Sequence, residues 1–305
     1  YDQGGPGQLY PRDDTTPNMD RYVEFMNNQL TELIEKYNIS FVQFDGEWIE
    51  SWTHERGADL YRHLRKTSAD LLINSRVDIT RRAMEEKCNK EGIKCSNQEI
   101  TVGWLGDDYA ADFQDRERFV SDQSGVSGWG DYPWQAWLSI DQNQWAWNTS
   151  NLKIQKVDFL IKDLIETITA NGNYMISMGP RADGSFAPEM IETMDKLGIW
   201  IKQHAEAIYN TRSGPFYPKS AFGSTFNDNK AWLFLMEPSS GLLELPNVSE
   251  EIKSIHLFGT DAKLDFTQSD KGIIIKTEKL DAPNPVTVLE IVFNSPVKMA
   301  SSEGK

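Results

Sequence analysis

Asp45 closes a short run of β-branched and aromatic residues, Ile39-Ser-Phe-Val-Gln-Phe-Asp45, and Gly46 follows at once. Apolar runs of this length between helical patterns read as buried parallel strands. A carboxylate at the carboxyl end of such a strand stands where (β/α) barrels and related folds gather their catalytic groups. Asp-Gly is also a common turn pair, so a plain turn is the competing reading of the same residues. A second run, Leu71-Leu-Ile-Asn-Ser-Arg76, again ends in polar groups.

The elements that must hold these ends are legible on either side. Asp20 can cap a helix running to Tyr37, with Val23, Met26, Leu30, Leu33, Ile34 and Tyr37 at helical spacing on one face. Residues 54–67 read as a second helix, with Leu60 and Leu64 inward. Strand, helix, strand with polar strand ends is the unit of a parallel sheet. Residues 77–103 are charged and contain both cysteines, which reads as a long insertion. Residues 104–150 are rich in Trp, Asp and Gly with poor periodicity, the pattern of functional loops. A helix over 157–170 ends at Asn171-Gly172, a strand follows over 174–178, and Pro188 opens a helix to His204. Beyond Gly214-Pro-Phe-Tyr-Pro218 the chain turns to short apolar runs at 231–236, 252–258, 272–277 and 286–293, which read as an antiparallel β-sandwich.

The bulk properties bound the function. A net charge of −15 over 305 residues argues against nucleic acid and anionic membrane surfaces as partners. No run approaches the ~20 apolar residues of a membrane span. Cys88 and Cys95 lack nearby histidines, which disfavours a zinc site; they could close a local disulfide in an exported protein or remain as two thiols. Asn38, Asn148 and Asn247 lie in N-x-Ser/Thr sequons, relevant only in a eukaryotic secretory context. Nothing indicates a cofactor or a metal: Gly179-Pro-Arg-Ala-Asp-Gly184 lacks the Lys-Ser/Thr of a phosphate loop.

Five segments, in this order, resemble family 29 glycoside hydrolases, the α-L-fucosidases. They are Phe44-Asp-Gly-Glu-Trp48, Leu72-Ile-Asn-Ser-Arg76, Asp112-Phe-Gln-Asp-Arg-Glu117, Pro133-Trp-Gln-Ala-Trp-Leu-Ser-Ile140 and Gly172-Asn-Tyr-Met-Ile-Ser-Met-Gly-Pro-Arg-Ala-Asp-Gly184. Glu206-Ala-Ile-Tyr209 extends the match. The resemblance covers residues 20–216 by motif and the remainder by position. It implies an α/β chain: the C-terminal portion of a (β/α) TIM-like barrel over 1–216, then a small antiparallel β-sandwich over 217–305. The family's first strands have no counterpart here. An N-terminal barrel half is therefore expected to be missing from this chain or supplied separately.

The resemblance implies a retaining mechanism with one attacking carboxylate and one acid/base carboxyl roughly 5–5.5 Å apart. Asp45 matches the nucleophile, which must be ionised and therefore needs a cation or hydrogen-bond donors beside it. Arg76 matches a sugar-binding arginine whose charge would also serve Asp45, with a structural salt bridge as the alternative. The acid/base has two places. One is Glu117, where Asp and Arg replace the family's usual Thr-Pro before the glutamate. The other is the position of Gln135, where a glutamine cannot exchange protons at neutral pH. Either Glu117 serves, or Gln135 is an engineered replacement of glutamate, or hydrolysis is poor. Glu47 reads as a tuning or binding carboxyl. Trp48, Trp134 and Trp145 are candidate walls for the apolar face of a 6-deoxy sugar.

The implied function is a retaining exo-α-L-fucosidase acting on fucosylated oligosaccharide or polysaccharide in a secreted, periplasmic or lysosomal-type compartment. Two alternatives stand beside it: a feeble or inactive glycan-binding relative, and a related glycosidase for another deoxy or sulfated sugar.

Overall fold

The computed structural model describes residues 18–94, 109, 111–117, 133–147, 149–216, 220–237, 241–278, 280 and 283–298, with the side chain of Glu117 left outside. The described residues fall into two compact units, one running to residue 117 together with 133–134 and the other from residue 135 onward. The boundary expected near residue 216 marks where helices give way to strands, and it lies inside the second unit.

The first unit is a helix–strand alternation. Helix α1 (Met19–Tyr37) starts on Asn18, whose Oδ1 accepts a hydrogen bond from the Arg21 N–H at 3.0 Å; Asp20 lies in the first turn. Its inward face carries Leu30, Tyr22, Val23, Met26 and Ile34. Leu33 and Tyr37, expected inward, are exposed. Strand β1 (Phe41–Val42) pairs in parallel with β2 (Leu72–Ile73), and helix α2 (His54–Thr67) connects them, as the alternation requires. A 3₁₀ turn, Ser75–Val77, ends β2 and leads into α3 (Thr80–Glu91). This helix occupies what composition alone reads as an insertion; its mostly charged surface hides the buried Thr80, Ala83 and Cys88. Cys88 is disulfide-bonded, and Cys95, the one other cysteine, lies outside the described residues. Asn74 bridges in parallel to Phe113, just before β3 (Gln114–Glu117).

Gly57 fixes how closely α2 approaches the 3₁₀ turn. A β-carbon there would stand 2.7 Å from the Val77 carbonyl oxygen and 2.9 Å from Asp78 Cα, closer than such atoms pack.

In the second unit, β4 (Trp134–Ser139, all but its first residue) neighbours β5 (Gly172–Ser177), and the helices α4 (Val157–Thr169), α5 (Pro188–Gln203) and the short α6 (Ala205–Ile208) accompany them. The strands that follow are β6 (Arg212–Ser213), β7 (Phe222–Asn227), β8 (Lys230–Leu235), β9 (Leu242–Leu245), β10 (Ile252–Leu257), β11 (Phe266–Ser269), β12 (Gly272–Lys276) and β13 (Thr287–Phe293). They form an antiparallel five-stranded sheet, β10-β13-β8-β7-β6, and a three-stranded sheet, β11-β12-β9. Leu233, Leu235, Leu289 and Ile291 of the larger sheet pack with Leu245, Ile273 and Ile275 of the smaller. Trp232, Phe234 and Val288, pointing the other way, pack on Leu160, Ile161, Leu164 and Ile165 of α4 and on Leu197 and Trp200 of α5. The larger sheet is thus buried on both faces, which is why β8 reads as a continuous apolar run rather than an alternation.

Candidate active site

The site is built from parallel chain ends in the first unit. Asn74, fully buried beyond β2, holds the backbone just before Asp45: its Oδ1 accepts from the Phe44 N–H at 2.7 Å and its Nδ2 donates to the Phe44 carbonyl at 2.9 Å. The same Nδ2 donates to Asp115 Oδ2 on β3. One buried amide therefore fixes three neighbouring segments, and its own polar atoms are satisfied.

Gly46 has a φ of 104°, a left-handed conformation that favours glycine. The turn breaks the alternation of side chains. Asp45 keeps its side chain half exposed, whereas Glu47 is buried and Trp48 stands half in solvent. The turn is tied to α3 by Arg82, whose Nη2 donates to the Trp52 carbonyl at 2.8 Å, and to the 3₁₀ turn by Trp52 Nε1, which donates to the Val77 carbonyl at 3.0 Å.

Arg76 projects from the 3₁₀ turn with a buried side chain. Its Nη1 donates to Asp45 Oδ1, and its Nε lies 3.7 Å from the buried Asp115 Oδ2. A buried guanidinium flanked by two carboxylates is the arrangement in which such a charge is tolerated. A second arginine, Arg81 of α3, reaches the same group: its Nε lies 2.8 Å from Glu47 Oε1, its Nη2 3.7 Å from Asp45 Oδ1, and its guanidinium 5.1 Å from the centre of the Trp48 ring. Burial pushes the Glu47 carboxyl up to about 7, against the opposing pull of Arg81 and Arg76. Asp45, Glu47 and Arg76 line one small open cavity of about 40 Å³, with Met19, Tyr22 and Met26 of α1 on its apolar side and Ile49 and Trp52 completing it.

The structure brings together Asp45, Glu47, Trp48 and Arg76. The side chain of Glu117 lies outside the described residues, on the last position of β3. Gln135 and Trp145 belong to the second unit. Trp134 is buried, with the Arg116 guanidinium 5.7 Å from its ring. Sequence reasoning missed Asn74, Arg81 and Asp115. Asn74 and Asp115 sit inside motifs read for other residues, and Arg81 sits in the segment taken for an insertion. No group of side chains suited to a metal ion occurs among the described residues, and no described helix is long and apolar enough to cross a membrane.

Comparison with known proteins gives these residues a setting. The family model described as Alpha-L-fucosidase matches residues 6–206. The tissue alpha-L-fucosidase of Mus musculus is 28% identical over 180 residues, which is 55% of this chain and 38% of that protein. A family 29 alpha-L-fucosidase from Bacteroides thetaiotaomicron superposes with a TM-score of 0.73 at 19% identity, covering 94% of this chain and 64% of its own. The same organism's enzyme, solved as a trapped covalent intermediate with 2-fluoro-fucosyl fluoride in a Glu-to-Gln mutant, gives a TM-score of 0.72 at 19% identity, covering 91% and 62%. The chain thus spans less than two thirds of the length of each. The fold is the expected one, part of a (β/α) barrel followed by an antiparallel β-sandwich.

Proposed function

The chain belongs to the alpha-L-fucosidase family, and on that premise we propose that it carries the nucleophile and the acid/base of a retaining exo-α-L-fucosidase. The observation that carries this reading is the Arg76–Asp45 pair at the ends of adjacent parallel segments. Asp45 is the proposed nucleophile. Its carboxylate forms a bond to the anomeric carbon of a terminal fucosyl residue as the glycosidic C–O bond breaks. The departing oxygen takes a proton from the acid/base, for which Glu117 is proposed. The same group then removes a proton from water, whose oxygen displaces Asp45 and restores the original anomeric configuration.

Arg76 has two roles in this scheme. Its positive charge keeps the attacking carboxylate in place, and its remaining N–H groups are donors for sugar oxygens. Trp48, half in solvent on the same turn as Asp45, is the proposed apolar wall for the sugar, with Glu47 and Trp134 as further binding residues. The proposed substrates are fucosylated oligosaccharides or polysaccharides. The proposed compartment is an exported one, which the bonded state of Cys88 supports.

Gln135 favours a second reading, a relative that binds glycans and turns them over slowly. The two readings separate in one assay on the intact protein, release of 4-nitrophenol from its α-L-fucoside. Turnover that disappears in Asp45→Asn supports the hydrolase. A rate unchanged in Asp45→Asn removes Asp45 from the chemistry and the proposal with it.

A further inference from the structure

We propose that Arg81 is a positioning residue for Asp45 and Trp48, and that Glu47 sets how much of its charge Asp45 receives; this rests on the reading of Asp45 as the nucleophile. The geometry is a branch point. One guanidinium on α3 lies 2.8 Å from Glu47, 3.7 Å from Asp45 and 5.1 Å from the Trp48 ring centre. The three groups occupy one short turn, 45–48, and nothing in the hydrolytic scheme requires Arg81.

The charged and titratable groups around Glu47 among the described residues are few. Asp45 lies on its own turn, Arg76 comes from the 3₁₀ turn, Arg81 from α3, and Tyr22 of α1 faces the same cavity. While Glu47 is ionised, Arg81 is held 2.8 Å from it and stands off from Asp45. When Glu47 takes a proton, that hold is lost and the guanidinium is drawn to the remaining carboxylate, which already accepts from Arg76. A carboxylate gripped by two guanidinium groups is a weaker nucleophile. Moving one unit charge from 3.7 Å to hydrogen-bond distance of Asp45 changes the interaction enough for about a tenfold rate effect at an effective dielectric constant near 20. The same movement draws the cation from under Trp48 and loosens that wall.

The test isolates the first half-reaction. 2-Fluoro-fucosyl fluoride forms the bond from the Asp45 oxygen to the anomeric carbon while the C–F bond breaks and fluoride leaves with its electron pair, so no general acid is needed. The intact protein is incubated with it from pH 5 to 9, and labelling is followed by mass, with the site read from peptides. The expected result is labelling of Asp45 about tenfold faster on the alkaline side of pH 7 than on the acid side. Glu47→Gln should label slowly at every pH, and Arg81→Gln should lose the step near 7. Arg81→Lys should retain part of the step. Labelling of Asp45 with the same pH profile in wild type, Glu47→Gln and Arg81→Gln overturns this inference and leaves the nucleophile assignment standing. Labelling of another residue, or none at any pH, removes both. Melting curves at each pH identify a variant that is merely unfolded; for such a variant the arginine series alone decides.

Discussion

Asn74 grips the Phe44 peptide from both sides, accepting from its N–H and donating to its carbonyl, and thereby sets the direction in which Asp45 leaves the strand. A side-chain amide here replaces the hydrogen bonds that a longer β1–β2 ladder would make.

Removing that amide should loosen the fold and misplace Asp45 together. Asn74→Ala leaves the Phe44 polar groups and Asp115 without this partner in a buried site, at a cost of about 1–3 kcal/mol for each group left unsatisfied. A shift of Asp45 by an ångström would lower its labelling rate by about two orders of magnitude. Urea denaturation and labelling of the same preparation check both. An unaltered midpoint would show that the clamp contributes nothing.

Gly57→Ala should destabilise the first unit by about 1–3 kcal/mol. The new methyl would meet the Val77 carbonyl at 2.7 Å, on the turn that carries Arg76. Because the displacement moves Arg76, labelling of Asp45 should slow as well. A variant with wild-type stability and rate would show that α2 can withdraw freely.

Stability should decline from pH 5 to pH 8. The Glu47 carboxyl is raised in the folded protein from an ordinary 4.5 to about 7, so the native state holds a proton that the unfolded chain has released. Its contribution is present in full below 4.5 and is lost as pH rises through about 7, with an upper bound of about 3 kcal/mol. Glu166, raised to about 7 by burial and by the neighbouring Asp163, acts in the same direction. Melting temperatures across this range should flatten in Glu47→Gln and flatten further in Glu47→Gln/Glu166→Gln. A slope preserved in the double variant would assign the effect to other groups.

The acid/base assignment divides two variants. Glu117→Gln should lower turnover of 4-nitrophenyl α-L-fucoside by about 10²–10⁴, with azide restoring part of it. Gln135→Glu should leave the rate within about twofold, because it adds a carboxyl to a step already served. A large gain from Gln135→Glu, with Glu117→Gln near wild type, would transfer the role to position 135.

Much of the site was legible because its first members end apolar runs. Asp45 and Arg76 follow the two apolar runs that become parallel strands, although Phe41 and Leu72 are exposed where the runs read as buried and, of the paired strand residues, only Ile73 is fully covered; helix α2 starts and stops where its pattern does. The remainder is built from polar residues that are buried because they pair. Gln114, Asp115 and Arg116 lie inside the first unit, yet Asp-Phe-Gln-Asp-Arg-Glu has no alternation from which a strand can be read. Helix α3 hid in the same way. Thr-Arg-Arg-Ala-Met-Glu-Glu-Lys-Cys-Asn-Lys-Glu is too evenly charged for an apolar stripe, so Arg81 lies in a segment that reads as an insertion. Strands β7, β9 and β11 were missed beside louder neighbours, although Gly223 of β7 meets Thr169 too closely for any larger residue. Asn18 rather than Asp20 caps α1, a difference of two residues that composition cannot resolve.

The two-sided burial of the five-stranded sheet has a practical corollary for anyone dissecting this molecule. A fragment cut at the helix-to-strand transition would carry Trp232, Phe234 and Val288 outward as a wet greasy plate, the kind of surface that sticks to its own copies. The C-terminal strands are therefore no portable appendage. They share α4 and α5 with the segment before them, and a soluble excision has to take those helices along.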